Sequence, residues 1–280
     1  MIIDFHTHTF PKKIVVSTID FLSKKAHMSP SLSGTGEGLL ESMDRAGVDK
    51  AVTFGVATKA DQVPKLNDIA IKNVSSERLI PFGAMHPHYP DWENELIRIH
   101  DAGVKGVKIH PVYQQCPIDC PNFLSIFRRC AELGIVVLSH GGLDVGFPGV
   151  EYCGPDSARN AIDKVPDLKL VMAHMGAWKQ WDKAIKYLSD TPVYIDTSFA
   201  FGAINPIPGE EHYSEEELKL LGKEEFLKMV DAFSPSRILF GTDSPWTDQA
   251  KSIESIRDLG LSGEDTEGIL GNNAKNLLNI

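Results

Sequence analysis

Residues 2–8 read IIDFHTH, a short apolar run that ends in two histidines one residue apart. Alternate residues of a β-strand project to the same face, so His6 and His8 point in the same direction if this run is a strand. Two imidazoles aimed together at the end of a strand predict a binding site there. The stretch therefore predicts both a first strand and the position of a candidate functional site.

Seven further apolar runs follow, and amphipathic stretches with helical spacing lie between them. The runs are KAVTFGVA (50–57), LIPFGAM (79–85), VKGVKI (104–109), GIVVLSH (134–140), LKLVMAH (168–174), VYIDTSF (193–199) and ILFGTD (238–243). Nearly continuous apolar strands that alternate with helices are typical of a parallel sheet with both faces covered. Eight such units predict an α/β fold, a (β/α)₈ TIM barrel in a single domain over residues 1–280. An open doubly wound sheet is the alternative that strand number leaves open.

Three glycines, Gly47, Gly103 and Gly134, come directly before predicted strands, which predicts that they end the preceding helices. Residues 202–222 are rich in proline, glycine and glutamate and predict a long loop after the seventh strand, as part of a lid.

Composition and charge narrow the classes of partner. The formal net charge is −10 and lysine and arginine form no cluster, which argues against a nucleic-acid partner. No apolar run approaches the roughly 20 residues of a membrane span, and no leader-like segment precedes the first strand. We therefore expect a cytoplasmic protein with a small-molecule substrate and no membrane partner. The sequence leaves open whether the protein forms a homo-oligomer. The four cysteines lack paired CxxC spacing and are interpreted as ordinary thiols.

Polar residues occupy the carboxyl ends of the predicted strands, where the chemistry of a parallel barrel lies. Besides His6 and His8 they are Lys108, His110, His140, His174 and Asp243. Imidazole nitrogens and carboxylate oxygens are the ligands that Zn²⁺ and similar divalent ions prefer. Their joint occurrence predicts a metal site at this end of the sheet.

An ordered series of motifs spans nearly the whole chain. It comprises DFHTH (4–8), GVKGVKIHPVYQ (103–114), VVLSHGG (136–142), PDLKLVMAHMGAW (166–178), VYIDTS (193–198), FGTDSPW (240–246) and NNAKNLL (272–278). On these motifs the chain resembles the amidohydrolase superfamily, in its amidohydrolase-related branch of metal-dependent hydrolases and decarboxylases.

The resemblance implies a TIM barrel with one divalent metal ion, usually zinc, with manganese as the alternative. It implies four metal ligands, which are His6, His8, His140 and Asp243. It places His174 beside the metal as a catalytic residue or an additional ligand. A second metal ion would require that Lys108 be carboxylated, because the fourth predicted strand carries no glutamate.

Three functions compete. The favoured one is a hydrolase in which a metal-activated water attacks a C–O or C–N bond of a small carboxylated or cyclic compound, with Asp243 as the base. The alternative is a non-oxidative decarboxylase of an aromatic or unsaturated acid, which is less favoured because no arginine lies evidently at a strand end. A barrel with a purely structural metal is the third. Four residues are expected to contact substrate: Lys108, His110, Trp178 and Trp246.

Overall fold

The computed structural model describes all 280 residues, and their contacts divide the chain into two compact units. Unit 1 comprises Met1–Ala51 and Thr197–Ile280, so it contains both ends of the chain. Unit 2 is the continuous segment Val52–Asp196. Each unit has its own strands, helices and buried core.

Strands and helices alternate along unit 2. Its strands are most of β2 (Lys50–Phe54), then β3 (Leu79–Pro81), β4 (Gly83–Ala84), β5 (Gly106–Ile109), β6 (Val136–Ser139), β7 (Leu170–Met172) and β8 (Tyr194–Asp196). Its helices are α3 (Val63–Lys72), α4 (Trp92–Asp101), α5 (Pro111–Gln114), α6 (Pro121–Leu133), α7 (Pro155–Lys164) and α8 (Trp181–Leu188). The segment from β4 to β8 forms a parallel sheet in chain order. This order confirms the predicted alternation of strands and helices.

The core of unit 2 lies between the sheet and its helices. Every residue of β5, β6 and β7 is buried. On α6, Phe123, Phe127 and Cys130 recur at helical spacing and are fully buried. Both faces of these strands are therefore covered, as the continuous apolar runs predicted.

Unit 1 is assembled from the two ends of the chain. Its strands are β1 (Ile3–His8), the start of β2 and β9 (Ile238–Leu239). Its helices are α1 (Val15–Ala26), α2 (Gly36–Ala46), α9 (Glu215–Leu218), α10 (Lys223–Phe233), α11 (Gln249–Arg257), α12 (Gly263–Glu267) and α13 (Asn273–Leu278). The Phe5 amide donates to the Phe240 carbonyl oxygen at 2.7 Å, and Lys50 donates to Ile2 at 3.3 Å. β1 thus lies between the start of β2 and the segment after β9.

Several predicted strands are shorter in the structure, and the last one, 238–243, is reduced to β9. The third predicted strand, 79–85, is two short strands, because Phe82 interrupts the ladder between β3 and β4. The three helix-ending glycines are confirmed, since each has a positive φ of 70°, 88° or 69° in chain order. None of the helices combines the length with the apolar composition that crossing a membrane requires.

The segment 202–222 is attached to the residues that follow α1. Ser29 donates its amide to Asn205, 2.8 Å away, and Ile207 donates to His27 at 3.3 Å. The segment also contains α9 and returns to pair Phe201 with Leu221. It is therefore anchored within unit 1, and its role as a lid stays a prediction.

Candidate metal centre

Strand β1 brings His6 and His8 to one face, as alternation predicts. Their rings lie 5.4 Å apart between centroids and are tilted by 58°. The side chain of His6 is only 1% exposed, whereas that of His8 is 16% exposed. One imidazole is thus enclosed by unit 1 and the other lies nearer its surface.

Asp243 meets both imidazoles. Its Oδ1 lies 3.1 Å from His8 Nε2 and 3.4 Å from His6 Nε2. The backbone fixes this approach, because the Asp243 amide donates to the His6 carbonyl oxygen at 2.8 Å and the residue adopts a φ of 59°. A left-handed backbone at a non-glycine residue is costly and is concentrated at functional sites. Residues from the two ends of the chain therefore converge here.

Two further polar residues support this cluster. Ser198 Oγ lies 3.0 Å from His6 Nδ1, so the hydroxyl can accept a hydrogen bond from the Nδ1–H group. In that tautomer the lone pair of the ring is on Nε2. Asp4 lies two residues before His6 on the same strand and accepts from the Thr242 hydroxyl at 2.6 Å and from Gln249 Nε2 at 2.8 Å. Complete burial raises the pKa of Asp4 to about 6, although these hydrogen bonds oppose the shift.

The donor set fits a divalent metal ion. One ligand atom from each of His6, His8 and Asp243 lies within 4.8 Å of the others. Two imidazole nitrogens and one carboxylate oxygen suit zinc or manganese, and the contact between Ser198 and His6 is the kind that orients a ligating histidine. Three of the four predicted ligands are thus together in unit 1.

The fourth predicted ligand, His140, lies in unit 2 within a cluster of buried polar side chains. Its Nδ1 is 3.0 Å from His174 Nε2, and its ring stacks on that of His110 with centroids 4.2 Å apart. Burial lowers the pKa of His140 well below its usual value, and His110 and His174 add to that effect. Burial thus favours the neutral form of His140, and its assignment to the metal stays a prediction.

A carboxylate completes the cluster in unit 2. Asp144 Oδ2 lies 3.4 Å from His110 Nε2 and 3.9 Å from His140 Nε2, so these three residues also have the composition of a metal site. However, His140 Nε2 lies 3.0 Å from the Leu143 carbonyl oxygen. A carbonyl oxygen only accepts, so the hydrogen belongs on Nε2, and that nitrogen has no lone pair for a metal. The geometry favours Asp144 as a partner of the histidines over a role as ligand.

Lys108 is buried, with 1% of its surface exposed. Its ammonium group lies 4.9 Å from the centroid of the Phe54 ring, a cation–π contact. Lys108 is therefore not a solvated surface lysine. The contact of Lys108 with an anionic group of a substrate stays a prediction.

The two predicted tryptophans lie in different units. Trp178, only 8% exposed, packs in unit 2, where its amide donates to the Gly141 carbonyl oxygen at 2.8 Å. Trp246 follows Asp243 in unit 1 and lines a cavity of about 370 Å³. Their contact with substrate stays a prediction.

The sequence prediction missed three residues that organise these clusters, which are Asp4, Ser198 and Asp144. Asp4 and Ser198 had a usable signal, because each is a polar residue in or just after a buried strand. Asp144 had none, because it lies in a loop and its nearer partner, His110, comes from another part of the chain.

Comparisons with known proteins identify the family. The model of the family described as Amidohydrolase matches residues 3–280. A search of curated proteins found no match. Solved structures with the same fold include an uncharacterised TIM-barrel protein from Bordetella bronchiseptica, at 20% identity with a TM-score of 0.76, covering 99% of this chain and 98% of that one.

Two further structures have named activities. A dihydroxybenzoic acid decarboxylase from a Polaromonas species, solved with bound manganese, is 16% identical with a TM-score of 0.70 and covers 99% of this chain and 96% of that one. A probable 2-pyrone-4,6-dicarboxylic acid hydrolase from Acinetobacter baumannii is 15% identical with a TM-score of 0.63 and covers 100% of this chain and 99% of that one. At these identities the likeness establishes the fold. The chain has the TIM-barrel fold and belongs to the amidohydrolase family of metal-dependent enzymes.

Proposed function

We propose that the protein is a metal-dependent hydrolase that acts on a C–O or C–N bond of a small carboxylated or cyclic compound, such as a lactone or an amide. The observation that carries this proposal is the convergence of His6, His8 and the carboxylate of Asp243, of which 14% is exposed. Three protein ligands leave a position for water, as in catalytic zinc sites. We infer one zinc ion per chain, with manganese as the alternative and a second ion only if Lys108 is carboxylated.

The proposed chemistry assigns a step to each residue. A divalent metal held by these three residues would lower the pKa of a water molecule towards neutrality and polarise a carbonyl group. Asp243 takes the proton from the attacking water and returns it to the leaving oxygen or nitrogen. The new bond joins the water oxygen to the carbonyl carbon, and the C–O or C–N bond breaks. His174 stabilises the negative charge that develops on the carbonyl oxygen.

Lys108 is proposed to bind the substrate carboxylate. Its buried position supports this role, because an anionic group stabilises an ammonium group that is held away from water. His110, Trp178 and Trp246 are proposed to shape the remainder of the substrate site.

A decarboxylase is the second candidate. The same buried ammonium group of Lys108 favours it, since a decarboxylase must hold its carboxylate without attacking it. The positions of the arginines oppose it: Arg45 lies on α2, Arg128 and Arg129 on α6 and Arg159 on α7, and no arginine lies at the carboxyl end of a strand. The hydrolase therefore remains the better-supported proposal.

A screen of lactones, amides and aromatic acids with zinc- or manganese-loaded protein in ¹⁸O-labelled water tests the proposal. A hydrolase places one labelled oxygen in the acid product, as mass spectrometry would detect, and releases no CO₂. Release of CO₂ from an aromatic acid, with no labelled product, would replace the hydrolase with the decarboxylase. Turnover by protein stripped of metal would contradict both.

A further inference from the structure

The carboxylate of Asp144 is held in a fixed orientation that faces two stacked imidazoles. Its Oδ1 accepts a hydrogen bond from the Gly146 amide at 2.8 Å, and the residue is 7% exposed. The other oxygen, Oδ2, is then directed at His110 Nε2, 3.4 Å away, and at His140 Nε2, 3.9 Å away. One oxygen of Asp144 therefore binds the backbone, and the other faces the two imidazoles.

The backbone determines which nitrogen of His110 carries the hydrogen. His110 precedes α5, and its Nδ1 accepts from the Tyr113 amide at 3.4 Å. An amide only donates, so Nδ1 must present a lone pair and the hydrogen lies on Nε2, which faces Asp144. The ring is held from both sides, since it stacks on Tyr113 at 3.7 Å and on His140 at 4.2 Å between centroids.

His140 is oriented in the same sense. The Leu143 carbonyl oxygen accepts from its Nε2 at 3.0 Å, and Asp144 Oδ2 lies on the same side of the ring. Its lone pair is therefore on Nδ1, which lies 3.0 Å from His174 Nε2. The stacked pair of imidazoles thus turns both N–H groups towards Asp144.

We propose that Asp144 is a positioning residue that acts with the Tyr113 amide and the Leu143 carbonyl oxygen to hold His110 and His140 as Nε2–H tautomers, so that Nδ1 of His140 is the atom available for ligation or proton transfer. The catalytic consequence rests on the proposed function, whereas the tautomers do not. Mutation of hydrogen-bonding partners of histidine ligands typically lowers metal affinity or activity about 10- to 100-fold.

The variant Asp144→Asn tests this role because it keeps the shape of the side chain and removes one acceptor. An asparagine has a single acceptor oxygen, which can serve either the Gly146 amide or the imidazoles. In the first case its NH₂ group faces two N–H donors, and in the second it faces the Gly146 amide. We expect at least one of the two rings to change its tautomer or orientation.

Nitrogen-15 NMR of histidine-labelled, metal-free protein reports the tautomers directly. We expect Nε2–H on both His110 and His140 in the wild type and an Nδ1–H population in Asp144→Asn. In the loaded enzyme, kcat should fall about 10- to 100-fold with KM nearly unchanged. The control Asp163→Asn removes a surface ion pair with Arg159 in the same unit and should change neither result.

Three outcomes would overturn the proposal. They are an Nδ1–H tautomer of His140 in the wild type, unchanged NMR signals in Asp144→Asn, and loss of a whole equivalent of bound zinc in that variant, which would make Asp144 a ligand. If the tautomers behave as expected but no substrate is turned over, the proposed function fails and the positioning role stands.

Discussion

Asp243 combines an unusual backbone conformation with contacts to two histidines. The hydrogen bond from its backbone amide to the His6 carbonyl oxygen and its φ of 59° direct the carboxylate at both imidazoles. The proposed function gives this side chain two roles, metal binding and proton transfer. Replacement of the carboxylate by an amide tests the two roles separately.

In Asp243→Asn the amide oxygen remains a weak ligand and the base is lost. We expect weaker metal binding that is still measurable at saturating metal, and turnover reduced by at least about 100-fold. The measurement is the rate at matched metal occupancy for variant and wild type. Equal rates would remove Asp243 from the proposed mechanism.

Ser198 orients His6 without being a predicted ligand. Ser198→Ala removes the hydroxyl 3.0 Å from Nδ1, so the ring loses the contact that favours a lone pair on Nε2. We expect zinc affinity to fall about 10- to 100-fold in a chelator competition assay. The matched control is Ser252→Ala, which removes a hydroxyl on α11 that donates a hydrogen bond to the Asp248 carbonyl oxygen. Equal affinities in the two variants would contradict the orienting role.

The candidate site was predictable where strand ends determine it. His6 and His8 lie at the end of β1 and Asp243 follows β9, and the carboxyl ends of parallel strands meet at one edge of a sheet. Ser198 and Asp144 act on particular ring nitrogens of their histidine partners. Which nitrogen faces which partner depends on side-chain rotation, and the sequence carries no signal for it.

The loop after β6 passes very close to the segment after β7. Gly142 pairs with Trp178, and a Cβ atom at Gly142 would lie 2.4 Å from the Trp178 nitrogen and 2.6 Å from the Ala177 carbonyl carbon. These are backbone atoms, which cannot rotate away. The glycine therefore allows the close approach of the two segments beside His140 and His174.

Gly142→Ala should destabilise the protein by more than its backbone conformation alone accounts for. An alanine at positive φ costs about 1–2 kcal/mol, and overpacking adds about 1–3 kcal/mol. Gly149→Ala is the control, because Gly149 has a φ of 78° and no atom near its added Cβ. Denaturant unfolding would compare the two variants, and equal losses of stability would contradict the steric argument.

At the level of elements, the strands were predicted better than the long segment after β8. Apolar runs identify buried strands because burial selects their composition. The attachment of Asn205 and Ile207 to residues 27–29 uses two backbone hydrogen bonds and the side chains of Asn205 and Ser29, which donate to carbonyl oxygens. Carbonyl oxygens occur at every residue, so no residue pattern predicted which of them would be the partners.

For the whole molecule, metal binding should be measurable as stability. A ligand that binds only the folded state stabilises it by about 2.7 kcal/mol at a free concentration 100 times its Kd. We expect zinc to raise the Tm of the wild type and to have little effect on the double variant His6→Ala/His8→Ala. Thermal unfolding with and without zinc checks this. The metal-free Tm of the variant controls for damage to the fold, and an equal zinc response would refute the ligand assignment.

The division of unit 1 between the two ends of the chain affects when a metal can be acquired. His6 and His8 are synthesised before the whole of unit 2, whereas Asp243 is synthesised after it. Until then the carboxylate of Asp243 cannot join the two imidazoles, although unit 2 is a continuous segment that is already complete. Capture of the ion by all three donors must therefore wait until unit 2 has been made.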